Sequence, residues 1–213
     1  MISPVQKRMV EVFGGETLGD AKSPWWTRIE LDDGDMRQVA ASFLRSIDRA
    51  RTITTAMFAR SPHLTAGLTW IEGDNEAFEP PFEQLDFMGL SLDRTPDVVV
   101  HCSEDGDEWW VNRHYLVLDN QPDLLAPLMM AAYGGHRFDR LINLSIDLID
   151  FDRGLGLEFY NHKGMTLIAT EREALAPIYH RYRDWVRDME LERCDEAFGA
   201  APNASRPGFT VVT

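Results

Sequence analysis

Three short β-prone runs, Leu141–Ile149, Gly156–Tyr160 and Met165–Ala169, follow one another with only Asp150-Phe151-Asp152-Arg153-Gly154 and Asn161-His162-Lys163-Gly164 between them. Parallel neighbours need a crossover of about a dozen residues or more, so links this short force an antiparallel meander. Thr170 with Glu173 then has the spacing of a capping box, and Leu175, Ile178, Tyr179, Tyr182, Trp185, Val186 and Met189 fall on one stripe. The pattern predicts one long amphipathic helix, kinked or moved in its start by Pro177 and ended at Gly199-Ala200-Ala201-Pro202. The segment from Arg140 to Phe198 thus closes a single α+β domain.

The same domain begins upstream. Trp26–Leu31 alternates apolar and polar residues as a half-buried strand does, and Asp32-Asp33-Gly34-Asp35 supplies a turn and a helix N-cap. Val39, Phe43, Ile47, Ala50, Thr54, Met57 and Phe58 then recur at helical spacing, so Met36–Phe58 is expected to be the first major helix. Leu64–Ile71 has strand character, Phe82–Leu90 suits a short helix, and Asp97–Cys102 with Glu108–Val117 suits a hairpin turning at Asp105-Gly106. Asp123–Ala132 reads as another short helix, stopped by Gly134-Gly135. The expected organisation is a peripheral N-terminal arm over 1–24, one domain over 25–199, mainly an antiparallel sheet packed with helices, and a tail over 200–213.

Composition narrows the function classes. With 21 Lys and Arg against 35 Asp and Glu, the net charge is -14. Such a surface repels phosphate backbones and anionic headgroups, so no nucleic-acid partner is expected, while long-range attraction favours a basic protein. Uncharged apolar stretches such as Leu124–Gly135 fall short of the ~20 residues that span a bilayer, so no membrane partner is expected either. Cys102 and Cys194 stand far apart with no secretory pattern at the start of the chain, which reads as a cytoplasmic protein with reduced thiols.

One stretch carries a family resemblance. Tyr160-Asn161-His162-Lys163-Gly164-Met165-Thr166-Leu167-Ile168-Ala169-Thr170, then Leu175-Ala176-Pro177-Ile178-Tyr179, Tyr182 and Asp184-Trp185, resemble in order and spacing an uncharacterised bacterial family, domain of unknown function 3885. Arg28-Ile29-Glu30-Leu31 and the helix through Phe43, Arg49 and Phe58 resemble its N-terminal part. The family's turn often carries two acidic residues and an arginine where this chain has Asn161, His162 and Lys163. The resemblance implies a shared fold and no assigned reaction.

Residue constellations for chemistry are sparse. Asp147, Asp150 and Asp152, with His162 across the hairpin, are the best metal candidates, yet aspartates are also the ordinary chemistry of tight links. His101 and Cys102 are adjacent on a strand and point to opposite faces, which disqualifies them as base and nucleophile. Tyr179, Tyr182 and Trp185 suit a packed stripe better than a pocket, and His114, His180 and Cys194 suit packing or polar roles. Gly14-Gly15 and Gly134-Gly135 lack the spacing of a phosphate loop. No catalytic residue, cofactor or metal is expected.

Acidic clustering remains: Asp32, Asp33 and Asp35; Glu72, Asp74, Glu76 and Glu79; Glu104, Asp105, Asp107 and Glu108. Loops on a rigid scaffold often carry recognition, and aromatic anchors rimmed by charge suit a protein-binding surface. Glu72, Asp74, Glu76, Glu104, Asp105, Asp107, Glu108 and Trp109 are therefore the candidate protein-binding residues. The expected function is an acidic binding module that occupies a basic site on another protein, as an immunity protein does on a toxin. The competing expectation is a metal-dependent or hydrolytic enzyme drawing on Asp147, Asp150, Asp152 or His162.

Overall fold

Seven strands, β1 (Trp25–Glu30), β2 (His63–Gly73), β3 (Val98–Glu104), β4 (Asp107–Asp119), β5 (Ser145–Asp150), β6 (Leu155–Asn161) and β7 (Gly164–Ala169), form one sheet in the order β1-β7-β6-β5-β2-β4-β3. Every pairing is antiparallel. The structure, a computed structural model, describes residues 2–31, 39–73, 81–87, 95–104, 107–119, 144–161 and 164–199. The expected meander is β5-β6-β7, and the expected hairpin is β3-β4. Chain-distant neighbours close the sheet: β1 adds to β7, and β2 lies between β5 and β4.

Helices pack on both faces. α2 (Val39–Met57) and α4 (Arg172–Arg181) cover one face, where Ile29, Ile53, Phe58, Leu68, Leu148, Leu157, Leu167, Leu175 and Tyr179 form the main core. α1 (Pro4–Phe13) covers part of the other, burying Met9 and Phe13, with Leu18 beyond it, against Ile149 and Ile168. β7 lies between these layers, and all six of its residues are buried. α3 (Phe82–Phe87) sets Phe82 edge-on to the buried Trp70, with ring centroids 5.1 Å apart. No described helix is long and apolar enough to cross a membrane. Both cysteines are free thiols, and Cys194 is fully buried.

The N-terminal segment differs from the expected arm. Ser3 and Gln6 close a capping box, with Ser3 Oγ accepting from Gln6 N at 3.1 Å and Gln6 Oε1 from Ser3 N at 3.0 Å. Pro4 occupies the first helical turn, where its missing N–H costs nothing. Gly14 ends the helix at φ 76°, in the left-handed region glycine tolerates. Burying Met9, Phe13 and Leu18 then makes this segment a layer of the fold.

The C-terminal helix is divided. α4 stops at Arg181; 3-10 turns at Arg183–Trp185 and Asp188–Glu190 follow, and α5 (Leu191–Phe198) resumes. The break lets Val186 bridge to Ile29, while Arg187 N donates to Arg28 O at 3.1 Å, shielding the β1 edge. Thr170 is not the cap either, since its N–H donates to Gly154 O and Glu171 holds the N-cap position.

A polar clamp ties α4 to α5. Tyr179 Oη donates to Asp195 Oδ1 at 2.5 Å, and the Arg183 guanidinium donates to both oxygens of the same carboxylate. Arg183 holds the Asp195 carboxyl below its ordinary range against the opposing effect of burial. Asp195→Ala strands a buried phenol and a guanidinium together, so it should cost about 1–2 kcal/mol in urea denaturation at neutral pH.

Candidate functional site

One cross-strand row runs along the face that α1 only partly covers. Register places Arg28 of β1 opposite Thr166 of β7, Thr166 opposite Glu158 of β6, Glu158 opposite Asp147 of β5, Asp147 opposite Gly67 of β2, and Gly67 opposite Tyr115 of β4. Directly paired residues share a face, with Cβ atoms about 4.5–5.5 Å apart. Each member alternates with core-facing neighbours, Asp147 between Ile146 and Leu148 and Glu158 between Leu157 and Phe159. The sequence builds one apolar face and, by the same alternation, this charged one.

Glycine shapes the row. A Cβ on Gly67 would stand 3.1 Å from Tyr115 Cε1 and 3.4 Å from Asp147 Cβ, so the missing side chain is the space into which the tyrosine ring leans. Arg113 stands one position along β4 from His114, opposite Thr69, and its Nε donates to Thr69 Oγ1 at 3.0 Å.

The electrostatics are unusual for a solvent-facing strand. Burial raises the Asp147 carboxyl to about 7, and the neighbouring Glu158 charge adds to that rise against the opposing pull of Arg113. Glu158 is raised chiefly by burial, with Arg28 and Arg113 acting against it. Tyr115 is raised by burial, and Arg113 opposes that rise. Both carboxyls are therefore protonated more readily than an exposed acid, Asp147 through burial and the Glu158 charge and Glu158 through burial. A carboxyl of this kind takes up or releases protons, or seats a cation, at physiological pH.

Beside the pair lies a cavity of about 250 Å³, walled by Arg28, Glu158, Thr166 and Ser23 and by the apolar Leu18, Ala21, Trp26 and Ile168. Arg28 pairs with Glu190 at 3.3 Å and lies over the Trp26 ring at 5.3 Å. Arg193 stacks on Trp26 at 3.5 Å and bonds Glu190 at 3.1 Å, which fixes the indole wall. Among the described residues, no hydrogen bond or ion pair holds the Glu158 or Asp147 carboxylate.

The acidic candidates that lie among the described residues, Glu72, Glu104, Asp107 and Glu108, gather elsewhere, at one end of the β2-β4-β3 ribbon. Glu72 pairs with Trp110, Trp109 with Gly73 and Cys102, Glu108 with Ser103, and Glu104 with Asp107. Register puts Glu72, Glu108, Trp110 and His101 on one face and Glu104, Trp109 and Cys102 on the other. Glu72 Oε1 accepts the Trp70 indole N–H at 2.7 Å, and Glu108 reaches His101 at 3.8 Å. Trp109 is half-buried, while Glu104 and Glu108 are exposed. Asp74, Glu76 and Asp105 lie outside the described residues, as do Asp32, Asp33, Asp35, Glu79 and the helix expected over 123–132.

The aspartates weighed as metal ligands separate. Asp147 belongs to the charged row. Asp150 points to the opposite face, where Oδ1 accepts the backbone N–H groups of Asp152 and Arg153 at 3.0 Å and Oδ2 accepts Ser61 Oγ–H at 2.5 Å. Asp152 pairs with Arg8 at 2.6 Å in solvent, and His162 is outside the described residues. Among the described residues, no group of three or more His, Cys, Asp or Glu converges as a metal site. Tyr179 and Tyr182 are core residues.

Residues 21–190 match the model of a domain of unknown function, DUF3885. The chain belongs to this family. Within the DUF3885 span lie Arg28, Gly67, Arg113, Tyr115, Asp147, Glu158 and Thr166, so the charged row is built from the family's own strands, whereas α1 and α5 flank the match. Comparison with curated proteins and with solved structures gives no match.

Proposed function

We propose that this DUF3885 chain is a cytoplasmic protein-binding module that adds an extended segment of a basic partner to its β3 edge, in the manner of an immunity-type inhibitor occupying a basic site on a toxin. The observation that carries this reading is the β3-β4 ribbon. Among the described residues nothing pairs with the outer edge of β3, and Val99 and Val100 are 53% and 46% exposed there. An unpaired apolar edge is a template for strand addition, and monomers normally blunt such edges. Glu104, Glu108 and the half-buried Trp109 frame it, and a net charge of -14 steers basic chains toward it.

The test is a binding measurement with the basic protein recovered alongside this chain from its own cells. Val100→Lys combined with Glu104→Lys and Glu108→Lys should weaken binding at least about 10-fold while circular dichroism stays unchanged, and added salt should weaken the unsubstituted pair as well. Recovery of no basic partner, or binding indifferent to both salt and the triple substitution, counts against the module. Self-association through the same edge would appear as a concentration-dependent dimer that the Lys substitution removes, and would replace the basic partner.

A further inference from the structure

We propose that the cavity between Arg28 and Glu158 is a binding site for a small zwitterion of the amino-acid class, its ammonium on Glu158, its acid group on Arg28 and its remainder against Trp26, Leu18 and Ile168. The cavity lies at the opposite end of the sheet from β3, so this site stands or falls separately from the ribbon.

The geometry points to a ligand carrying both charges. Arg28 and Glu158 flank Thr166 in one row, two strand spacings apart, which is roughly 9–10 Å between backbones. Opposite charges at that separation, on side chains long enough to meet, normally close onto each other. Here they do not: Arg28 turns to Glu190 at 3.3 Å, and the space left between Arg28 and Glu158 is the cavity. A cation alone would make no use of the Arg28 N–H groups beyond the Nη1 that Glu190 engages, and an anion alone would face the Glu158 carboxylate. A zwitterion answers both.

Size and lining agree. About 250 Å³ exceeds what one water or ion needs, and falls just below the roughly 300–1,000 Å³ of drug-sized sites. Trp26, held flat by Arg193, and Leu18, seated over Gly156, offer an apolar wall for a side chain. A Cβ on Gly156 would stand 2.5 Å from Leu18 Cδ2, so the glycine is what lets this wall approach the strand. Asp147 stands directly opposite Glu158 on β5, on the side away from Arg28, so the acidic end of the row continues behind the cavity wall.

The experiment is a thermal-melting screen of the full chain against each protein-forming L-amino acid, with n-butylamine and butyrate as single-charge probes. At least one amino acid should raise the melting temperature by roughly 5 °C at about 100 times its Kd, and neither single-charge probe should match it. Glu158→Gln and Arg28→Gln should each weaken that ligand at least about 10-fold, whereas Asp152→Asn, on the exposed turn, should not. If Glu158→Gln does not fold, Arg28→Gln carries the test, with Arg28→Lys expected to restore part of the affinity. No melting shift with any amino acid, shifts that persist in both variants, or n-butylamine binding as well as the best amino acid overturns the proposal.

Discussion

Gly154→Ala should destabilise the fold by roughly 2–4 kcal/mol, a larger loss than most surface substitutions produce. Gly154 sits at φ 59°, where a side chain is strained, and an added Cβ would lie 2.0 Å from Thr170 Oγ1 and 3.0 Å from Thr170 Cβ. Neither residue can simply move, because Thr170 N donates to Gly154 O at 2.9 Å and the preceding turn is bound on its other side. There Asp150 holds the N–H groups of Asp152 and Arg153, and the Arg153 guanidinium reaches Met57 O at 3.3 Å and Ser61 Oγ at 3.2 Å. One turn thus joins β5, β6, the end of α2 and the start of α4.

A double-mutant cycle separates the two costs. Thr170→Ala removes the hydroxyl and methyl that the new Cβ meets, so the double variant should recover the steric part and retain roughly 1–2 kcal/mol for the left-handed backbone. Urea midpoints of the four proteins measure both. A Gly154→Ala cost below about 1 kcal/mol would mean that the turn relaxes freely, and its role in setting the β6 register, and hence the position of Glu158, would be lost.

Much of this architecture was legible locally. Links as short as Asp150–Gly154 dictate an antiparallel meander, and alternation in Trp26–Leu31 dictates a strand with one apolar face. What alternation cannot supply is the neighbour. That β1 lies against β7 and β2 against β5 depends on pairings across most of the chain, and the charged row exists only through them. Arg28, Glu158 and Tyr115 each look like the solvent half of an alternating strand. Arg28 and Glu158 become a site because Leu18, Gly19 and Ala21, in the segment after α1, cover part of that face.

Asp147 precedes the Asp150–Gly154 link and Glu158 follows it, and the register that sets Asp150 opposite Leu155 places these like charges directly opposite each other, an arrangement that is destabilising while both are ionised. Helical spacing of apolar residues persists across the break in the final helix. Tyr182 and Val186 keep the helical spacing and are buried against the same core although the backbone breaks between them, whereas Met189, on the predicted stripe, is 72% exposed. Of the acidic residues, Glu72, Glu104 and Glu108 meet at one ribbon end through strand pairing, and register divides them between two faces.

Asp147→Asn should make the protein more stable at pH 8, by on the order of 1–3 kcal/mol, and the gain should shrink toward pH 5. The sign follows from proton counts. Asp147 titrates near 7 in the fold and near 3.8 when unfolded, so between those values the folded state holds the extra proton and stability declines as pH rises. Glu158, also raised, acts in the same direction, and Asp195, which is lowered, contributes to the slope only below the ordinary carboxylate range. The groups acting on the pair are Arg113 from β4, Arg28 from β1 and Asp20 from the segment after α1; the arginines oppose the rise without cancelling it. Asparagine keeps the shape of the protonated acid and cannot ionise, so the variant should show a flatter stability profile between pH 5 and pH 8 in urea denaturation. A wild-type protein that gains stability from pH 6 to pH 8, or a variant no more stable than it at pH 8, would show the carboxylate to be well satisfied as an ion. The predicted outcome carries a functional meaning, because a buried acid pair that costs the fold stability is retained most readily where a ligand or a proton uses it.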